Sequence, residues 1–249
     1  LDPRAIPTRA AARLGELAAQ AVIARHLQDE GEPPRRIVMD LWASPTLRSG
    51  GEDIAHALAL MGAAPLWDDA STRVMGFAIT PLPKLAHPRI DVTVRISGAF
   101  RDTFPSQVAL LDAAARAVAM LDEPDEWNEP AAARRRGEAG ARVFGAAPGR
   151  YGAAVADRAL DGHWTSRNEL GAAYLAASSH AYGGPEGAGH ADDSFSARIR
   201  TADAFVHVSD TAGRDILEAS SAADVIGGLA AAAQSLGANP SLYSLDSSN

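Results

Sequence analysis

The sequence predicts an α/β fold: a mainly parallel open sheet flanked by helices, with a helix-rich second half. One observation carries that class. Short apolar runs alternate with amphipathic, Ala-rich stretches almost from the first residue. Such alternation implies crossover connections, hence parallel strands with helices on both faces. A second observation concerns function. The run Asp91–Ile96, DVTVRI, stops at Ser97-Gly98 and delivers Arg101 and Asp102 side by side, just before a long apolar helix. Open α/β sheets build ligand sites at strand ends of this kind.

The elements follow in order. Residues 8–29 read as an Ala-rich amphipathic helix with Thr8 as its N-cap, broken by Glu32-Pro33-Pro34. Ile37 to Trp42 is a short apolar strand. Ser49-Gly50-Gly51 turns the chain into a helix over 52–62, and 64–67 and 74–80 are two further strands closed by Pro81 and Pro83. After the strand at 91–97, residues 105–121 form a helix with apolar positions at Val108, Leu111, Ala115 and Val118. Residues 124–140 are a polar helix flanked by loops, and Val143-Phe144 is a short strand before the turn Gly145 to Gly152. Helices are expected at 153–161, 166–180, 192–201 and 221–236, a loop at Ala181 to Gly189, and strands at Ala204 to Val208 and Leu242 to Leu245. The chain thus divides into an α/β core over 1–123, a helical insertion or lid-like segment over 124–203, and a return to the sheet over 204–249.

Composition narrows the function. A net charge of −8 leaves no basic stripe for neutralising phosphates, which argues against general nucleic-acid binding. Cysteine is absent, so disulfides, thiolate nucleophiles and Cys-ligated zinc are excluded. No apolar run reaches the ~18 residues of a membrane span. A soluble cytoplasmic protein is the default expectation, and a first residue that is Leu1 rather than Met suggests a piece of a longer polypeptide.

Several residue groups could carry chemistry. The turns Ser49-Gly50-Gly51 and Gly145 to Gly152 precede helices, so their N–H groups either face an anion or simply make tight turns. Neither is a Walker A loop, and neither is a GxGxxG turn. Glu52 and His56 lie four apart on one helix face, a spacing that suits a divalent metal, a carboxylate–imidazole couple or an exposed surface pair. Arg101 is suited to a substrate carboxylate with Asp102 orienting it, or to a local ion pair. Tyr151 and Tyr182 sit beside glycines and are expected to be partly exposed. His207, inside an apolar strand, reads as a hydrogen-bonded core histidine.

Taken in order, the pieces resemble a known family. LWASPTLRSGGEDIAHAL at 41–58, PRIDVTVRISGAFRDTFP at 88–105, LDEPDEWN at 121–128 and ARVFGAAPGRYGA at 141–153 carry the likeness. Asp2 to Thr8, Trp164 to Leu175, Ala181-Tyr182-Gly183 and GGLAAA at 227–232 extend it. Together they are similar to the large subunit of aerobic cobaltochelatase and, more distantly, of magnesium chelatase. The words Arg95-Ile96-Ser97-Gly98 and Pro148-Gly149-Arg150-Tyr151-Gly152 look like the cobalt branch.

The resemblance implies insertion of Co²⁺ into the corrin precursor hydrogenobyrinic acid a,c-diamide, in cobalamin biosynthesis. ATP and Mg²⁺ would be bound by two smaller motor subunits, and this chain would be an internal or C-terminal portion working with the remainder of the large subunit. It further implies Glu52 and His56 as proton acceptors and weak, transient metal ligands. Arg48, Ser49, Arg101, Asp102, Arg150, Tyr151 and Tyr182 would line the corrin site. The chain departs from the family at position 56, where Gln is usual, at Ile226, where an acidic residue is common, and at Thr211 to Arg214, where a more polar segment is usual. A magnesium- or nickel-type chelatase subunit, a non-catalytic tetrapyrrole-binding or ATPase-docking module, and a generic small-molecule-binding α/β domain are the competing readings.

Overall fold

The computed structural model describes residues 2–138, 140–152, 155, 164–184, 189–209 and 226–246. The helix expected over 153–161 lies almost wholly outside them, as do the start of the late helix and the Thr211 to Arg214 segment. The first long helix forms where its signals place it. In α1 (Arg9–Glu30) the Thr8 side chain accepts the Ala11 N–H at 3.1 Å, and Gly31 closes the other end in the left-handed region, at φ 84°.

Seven strands make one sheet: β1 (Arg36–Leu41), β4 (Asp91–Ile96), β5 (Val143–Gly145), β6 (His180–Tyr182), β7 (His190–Ala191), β8 (Ala204–Ser209) and β9 (Ser241–Asp246). Their spatial order is β7-β6-β5-β4-β1-β8-β9. The five strands from β5 to β9 in that order pair in parallel, while β6 and β7 are antiparallel additions at one edge. From β1 the chain builds outward through β4 and β5 on one side, then through β8 and β9 on the other. The order therefore reverses between β1 and β8. A separate antiparallel hairpin pairs β2 (Ala63–Trp67) with β3 (Val74–Ile79).

The alternation of side chains along the strands yields two cores. Ile37, Met39, Leu41, Val92, Val94 and Ile96 point to one face, where α1, α3 (Glu52–Leu60) and α5 (Pro105–Ala119) cover them. Val38, Phe144 and Phe205 point to the other, against Tyr174 of α7 (Arg167–Ser178), Phe195 and Ile199 of α8 (Ser194–Arg200), and Leu229 of α9 (Gly228–Ser235). Burial on both faces explains why all six residues of β4 are buried. No helix among the described residues is long and apolar enough to cross a membrane.

Two expectations change. Residues 124–203 are not a helical insertion: besides α6 (Glu129–Arg135), α7 and α8 they contribute β5, β6 and β7 to the common sheet. β6 occupies the start of the expected loop at 181–189. Two short helices also appear at strand ends, α2 (Ala43–Ser49) after β1 and α4 (Gly98–Thr103) after β4. Each has too few turns to display a period.

Candidate functional site

The carboxyl ends of β1, β4 and β5 bring the predicted segments to one edge of the sheet. β1 leads into α2, which carries Arg48 and Ser49 in its last turn, and β4 leads into α4, which carries Arg101 and Asp102. Helices α2 and α4 touch each other. β5 leads into the loop Gly145 to Gly152, which lies across the β4–α4 turn. A methyl group at Gly98 would stand 2.5 Å from the Arg150 carbonyl oxygen and 2.7 Å from the Tyr151 ring. Glycine at 98 is thus a requirement of close approach.

Arg101 holds this loop. Its Nη1 donates to the carbonyls of Ala147 at 3.0 Å, Ala146 at 3.3 Å and Arg150 at 3.4 Å, and its Nε and Nη2 grip Asp102 at 2.7 and 3.0 Å. The guanidinium lies over the rings of Tyr151 and Tyr182 and the side chain is 11 % exposed. The expectation that Arg101 meets substrate is therefore corrected: its donors are spent inside the protein. Asp102, 46 % exposed, faces outward instead. It accepts the Tyr151 hydroxyl at 2.6 Å, and the bond from Arg101, followed by that from Tyr151, holds its carboxyl below the usual range. Tyr151 is 65 % exposed and Arg150 is exposed beside it. Tyr182 is not exposed as expected. It is buried, and its hydroxyl donates to the Ala146 carbonyl from below.

The second end of the loop is tied by Arg95, buried in β4, whose Nη2 donates to the Gly152 carbonyl at 3.2 Å and whose Nε donates to Ser178 at 3.3 Å. The loop thus presents carbonyls to two arginines, which closes the anion-cradle reading of its glycines. The Ser49-Gly50-Gly51 turn is closed too. The Gly50 and Gly51 N–H groups both go to the Thr46 carbonyl, the latter at 2.8 Å, and the Glu52 N–H goes to Ser49 Oγ at 3.3 Å. Arg48 is exposed at the end of α2.

Glu52 and His56 do share a helix face, but α1 packs on it. A methyl group at Gly15 of α1 would stand 2.5 Å from the His56 backbone nitrogen and 2.7 Å from the Glu52 carbonyl oxygen. His56 is fully buried, and neither ring nitrogen has a hydrogen-bond partner. Burial draws its pKa down to about 3, so it is neutral, and a metal or a proton would have to cross the core to reach it. This corrects its proposed catalytic and metal-binding roles. Glu52 stays half-buried at the first turn of α3, its pKa raised by burial. Beside it Asp53 is fully buried, bonded to the Thr46 hydroxyl and, at 2.9 Å, to the Ile54 N–H. Burial, only partly offset by those two bonds, pushes its pKa up to about 7. Among the described residues no group of three or more His, Asp or Glu is placed to hold a metal ion.

His56→Leu is expected to stabilise the chain, because an unsatisfied buried imidazole costs about 1–3 kcal/mol. The pKa is depressed in the folded state, so acid favours the unfolded chain. The advantage of the variant over the parent should therefore grow by about 1–1.5 kcal/mol per pH unit as pH falls from ~6.5 toward ~3. Urea unfolding of both proteins across that window measures it. A constant difference would mean that His56 titrates normally.

Sequence reasoning passed over Asp40, Trp42 and the carboxylate–imidazole contact with His207. Asp40 accepts the Trp42 indole N–H, and His207 Nδ1 lies 3.0 and 3.2 Å from its two oxygens. The available signal was the pair of charged residues, Asp40 and Arg95, each one position before the carboxyl end of its strand.

The whole chain, residues 1–249, matches the family model described as CobN/Magnesium Chelatase. The chain belongs to that family. It is 43 % identical to the aerobic cobaltochelatase subunit CobN of Sinorhizobium sp over all of its own length and 21 % of that relative's. The catalytic subunit of cobaltochelatase from Mycobacterium tuberculosis has the same fold, with a TM-score of 0.92, 36 % identity, and coverage of 98 % of this chain and 22 % of that one. A magnesium-chelatase subunit from Chlorobaculum parvum is 35 % identical over 74 % of this chain and 15 % of its own length. The chain thus spans about a fifth of the cobaltochelatase subunits it matches.

Proposed function

We propose that this chain forms part of the tetrapyrrole cleft of a cobaltochelatase large subunit, which inserts Co²⁺ into hydrogenobyrinic acid a,c-diamide. The observation that carries this reading is the outward pair Tyr151–Asp102, locked by Arg101 at the carboxyl edge beside exposed Arg150. A flat phenol offers a stacking surface for a macrocycle, and exposed guanidinium groups suit its peripheral carboxylates. Arg150 and Arg48 would supply those contacts. Glu52 would be a weak carboxylate through which Co²⁺ passes. No Walker A loop is present in the sequence, consistent with ATP and Mg²⁺ being bound by two partner motor subunits.

The cobalt reading is favoured over the magnesium one by coverage: likeness to the cobalt relative spans the whole chain, that to the magnesium relative 74 % of it. Titrating the purified chain with hydrogenobyrinic acid a,c-diamide should shift the visible absorption of the corrin. Tyr151→Ala should weaken that binding roughly tenfold without unfolding the chain, since the ring is exposed. An unshifted spectrum, with the intact large subunit responding, would reduce this piece to a scaffold or a docking surface. Pull-down by the motor subunits then tests docking.

A further inference from the structure

The two faces of β9, the last strand on one side of the sheet, are covered unequally. Tyr243 and Leu245 are partly buried against the first core, and the Tyr243 hydroxyl lies 3.0 Å from His26 Nδ1 of α1. Leu242 is the register partner of Phe205 and so points to the second face, where it is 47 % exposed. A strand of a parallel sheet is normally covered on both faces. Single exposed leucines are ordinary on a protein surface. This one, however, borders a groove of about 470 Å³ between β9 and α9. Buried Phe205 lies at the bottom of the groove, and Ala230 and Ala233 of α9 line its other wall. The one charged residue in the lining is Arg167, whose Nη1 donates to Gln234 Oε1 at 3.4 Å. The polar cluster on the same face, formed by Arg36, Asp40, Asp91, Thr93, Arg95 and His207 with Arg198 over it, stands on β1, β4 and β8. None of it lines the groove.

We propose that an amphipathic helix from the remainder of the large subunit lies in this groove, alongside α9. This rests on the reading of the chain as one portion of a large subunit. The chain spans 21 % of the CobN relative and 22 % of the Mycobacterium tuberculosis subunit, so roughly four-fifths of such a protein is left to pack against it. The topology says why the occupant is a helix. The connections from β1 to β4 and from β4 to β5 keep α3 and α5 on the first face. The connection from β8 to β9 runs the opposite way along the sheet and keeps α9 on the second face. Both are what right-handed crossovers require. A right-handed connection taken one step further outward from β9 therefore sets its helix on the second face, over Leu242. The small side chains of Ala230 and Ala233 let a second helix approach α9 to the usual ~8–10 Å between axes. Such a helix would bring apolar residues at i, i+3, i+4 and i+7 to Leu242 and the two alanines. It would also bring a carboxylate to Arg167, the charged residue at the rim.

The chain has no cysteine, so introduced thiols report on single positions within it. Leu242→Cys and Ala230→Cys, one on each wall of the groove, are made separately in the full-length large subunit. Both positions are exposed in the chain described here. Beneath a docked helix, each thiol should react with a maleimide at least about a hundredfold more slowly in the native subunit than in urea, once the parent's background is subtracted. Ala230→Cys changes the side chain by one atom and keeps the test open should Leu242→Cys disturb folding. A photo-crosslinking amino acid in place of Leu242 should, on irradiation, capture a peptide from outside residues 1–249. That peptide should show helical apolar spacing and carry an Asp or Glu. Labelling of both thiols within about tenfold of the urea rate would show an open groove and overturn the proposal. Protection that appears only on addition of the motor subunits, or only at raised subunit concentration, would overturn it in favour of a motor subunit or a second copy. A captured peptide without helical spacing would overturn the helix. None of these readouts involves cobalt or corrin. Their failure leaves the chelatase reading standing, and a parental subunit that binds no corrin would overturn the cleft reading while leaving the labelling result intact.

Discussion

Arg101→Ala is expected to cost about 2–4 kcal/mol of stability and to release the loop from Ala146 to Tyr151. The guanidinium supplies a bidentate pair with Asp102 and three bonds to loop carbonyls. Hydrogen bonds involving a charged group contribute about 1.5–3 kcal/mol each, and the half-exposed Asp102 makes its share smaller through solvent screening. Lysine keeps the charge but presents one nitrogen where Arg101 uses three, so Arg101→Lys should recover less than half of the loss. Urea unfolding gives the energy, and hydrogen exchange at Ala147, Arg150 and Tyr151 reports the loop. The proposed corrin binding should weaken in parallel with loop protection, because Tyr151 and Asp102 lose their common support. Stability within about 0.5 kcal/mol of the parent, with unchanged exchange, would show that the loop is held by something else. Weakened binding with a fully protected loop would return Arg101 to the role of direct contact.

Asp91→Ala should be more damaging still, at about 3–5 kcal/mol. Asp91 is the buried carboxylate between Arg142 and Arg198. It accepts from Arg142 Nη2 at 2.8 Å and from Arg198 Nη1 at 3.2 Å, and the three side chains are at most 12 % exposed. Burial, then the neighbouring Arg142, lowers the pKa of Arg198 to about 10 even with Asp91 present. Without the carboxylate, two guanidinium groups repel each other with no anion between them. Arg142→Met in the Asp91→Ala background should restore part of the stability, since one of the two unpaired cations is then gone. Two additive losses in that double variant would show that the groups do not interact.

The fold was legible because its signals are local and repeated. Thr8 and Gly31 bound α1 where capping chemistry places them, and β4 shows the polar–apolar alternation that marks a strand, although burial of all six of its residues is not legible in that pattern. The short helices α2 and α4 were not legible, since one or two turns carry no period. β6 was hidden among glycines, because pairing with β5 rather than local preference makes it a strand. The site was half legible. The i,i+4 spacing did put Glu52 and His56 on one helix face, but spacing says nothing about what covers that face, and α1 does.

The sequence by itself determined the fold class, the family, and the strand ends at which polar residues would gather. Alternation, caps and motif order are all properties of neighbours along the chain. Which of those residues face a ligand was decided by the tertiary structure alone. Arg101 turned inward because the Gly145 to Gly152 loop offers it three carbonyls, while Asp102 and Tyr151 were left at the surface. Asp40 and His207 lie 167 residues apart and meet only because β1 and β8 are neighbours in register. Burial and hydrogen bonding across that distance depend on how strands are ordered in space, a quantity no local pattern contains.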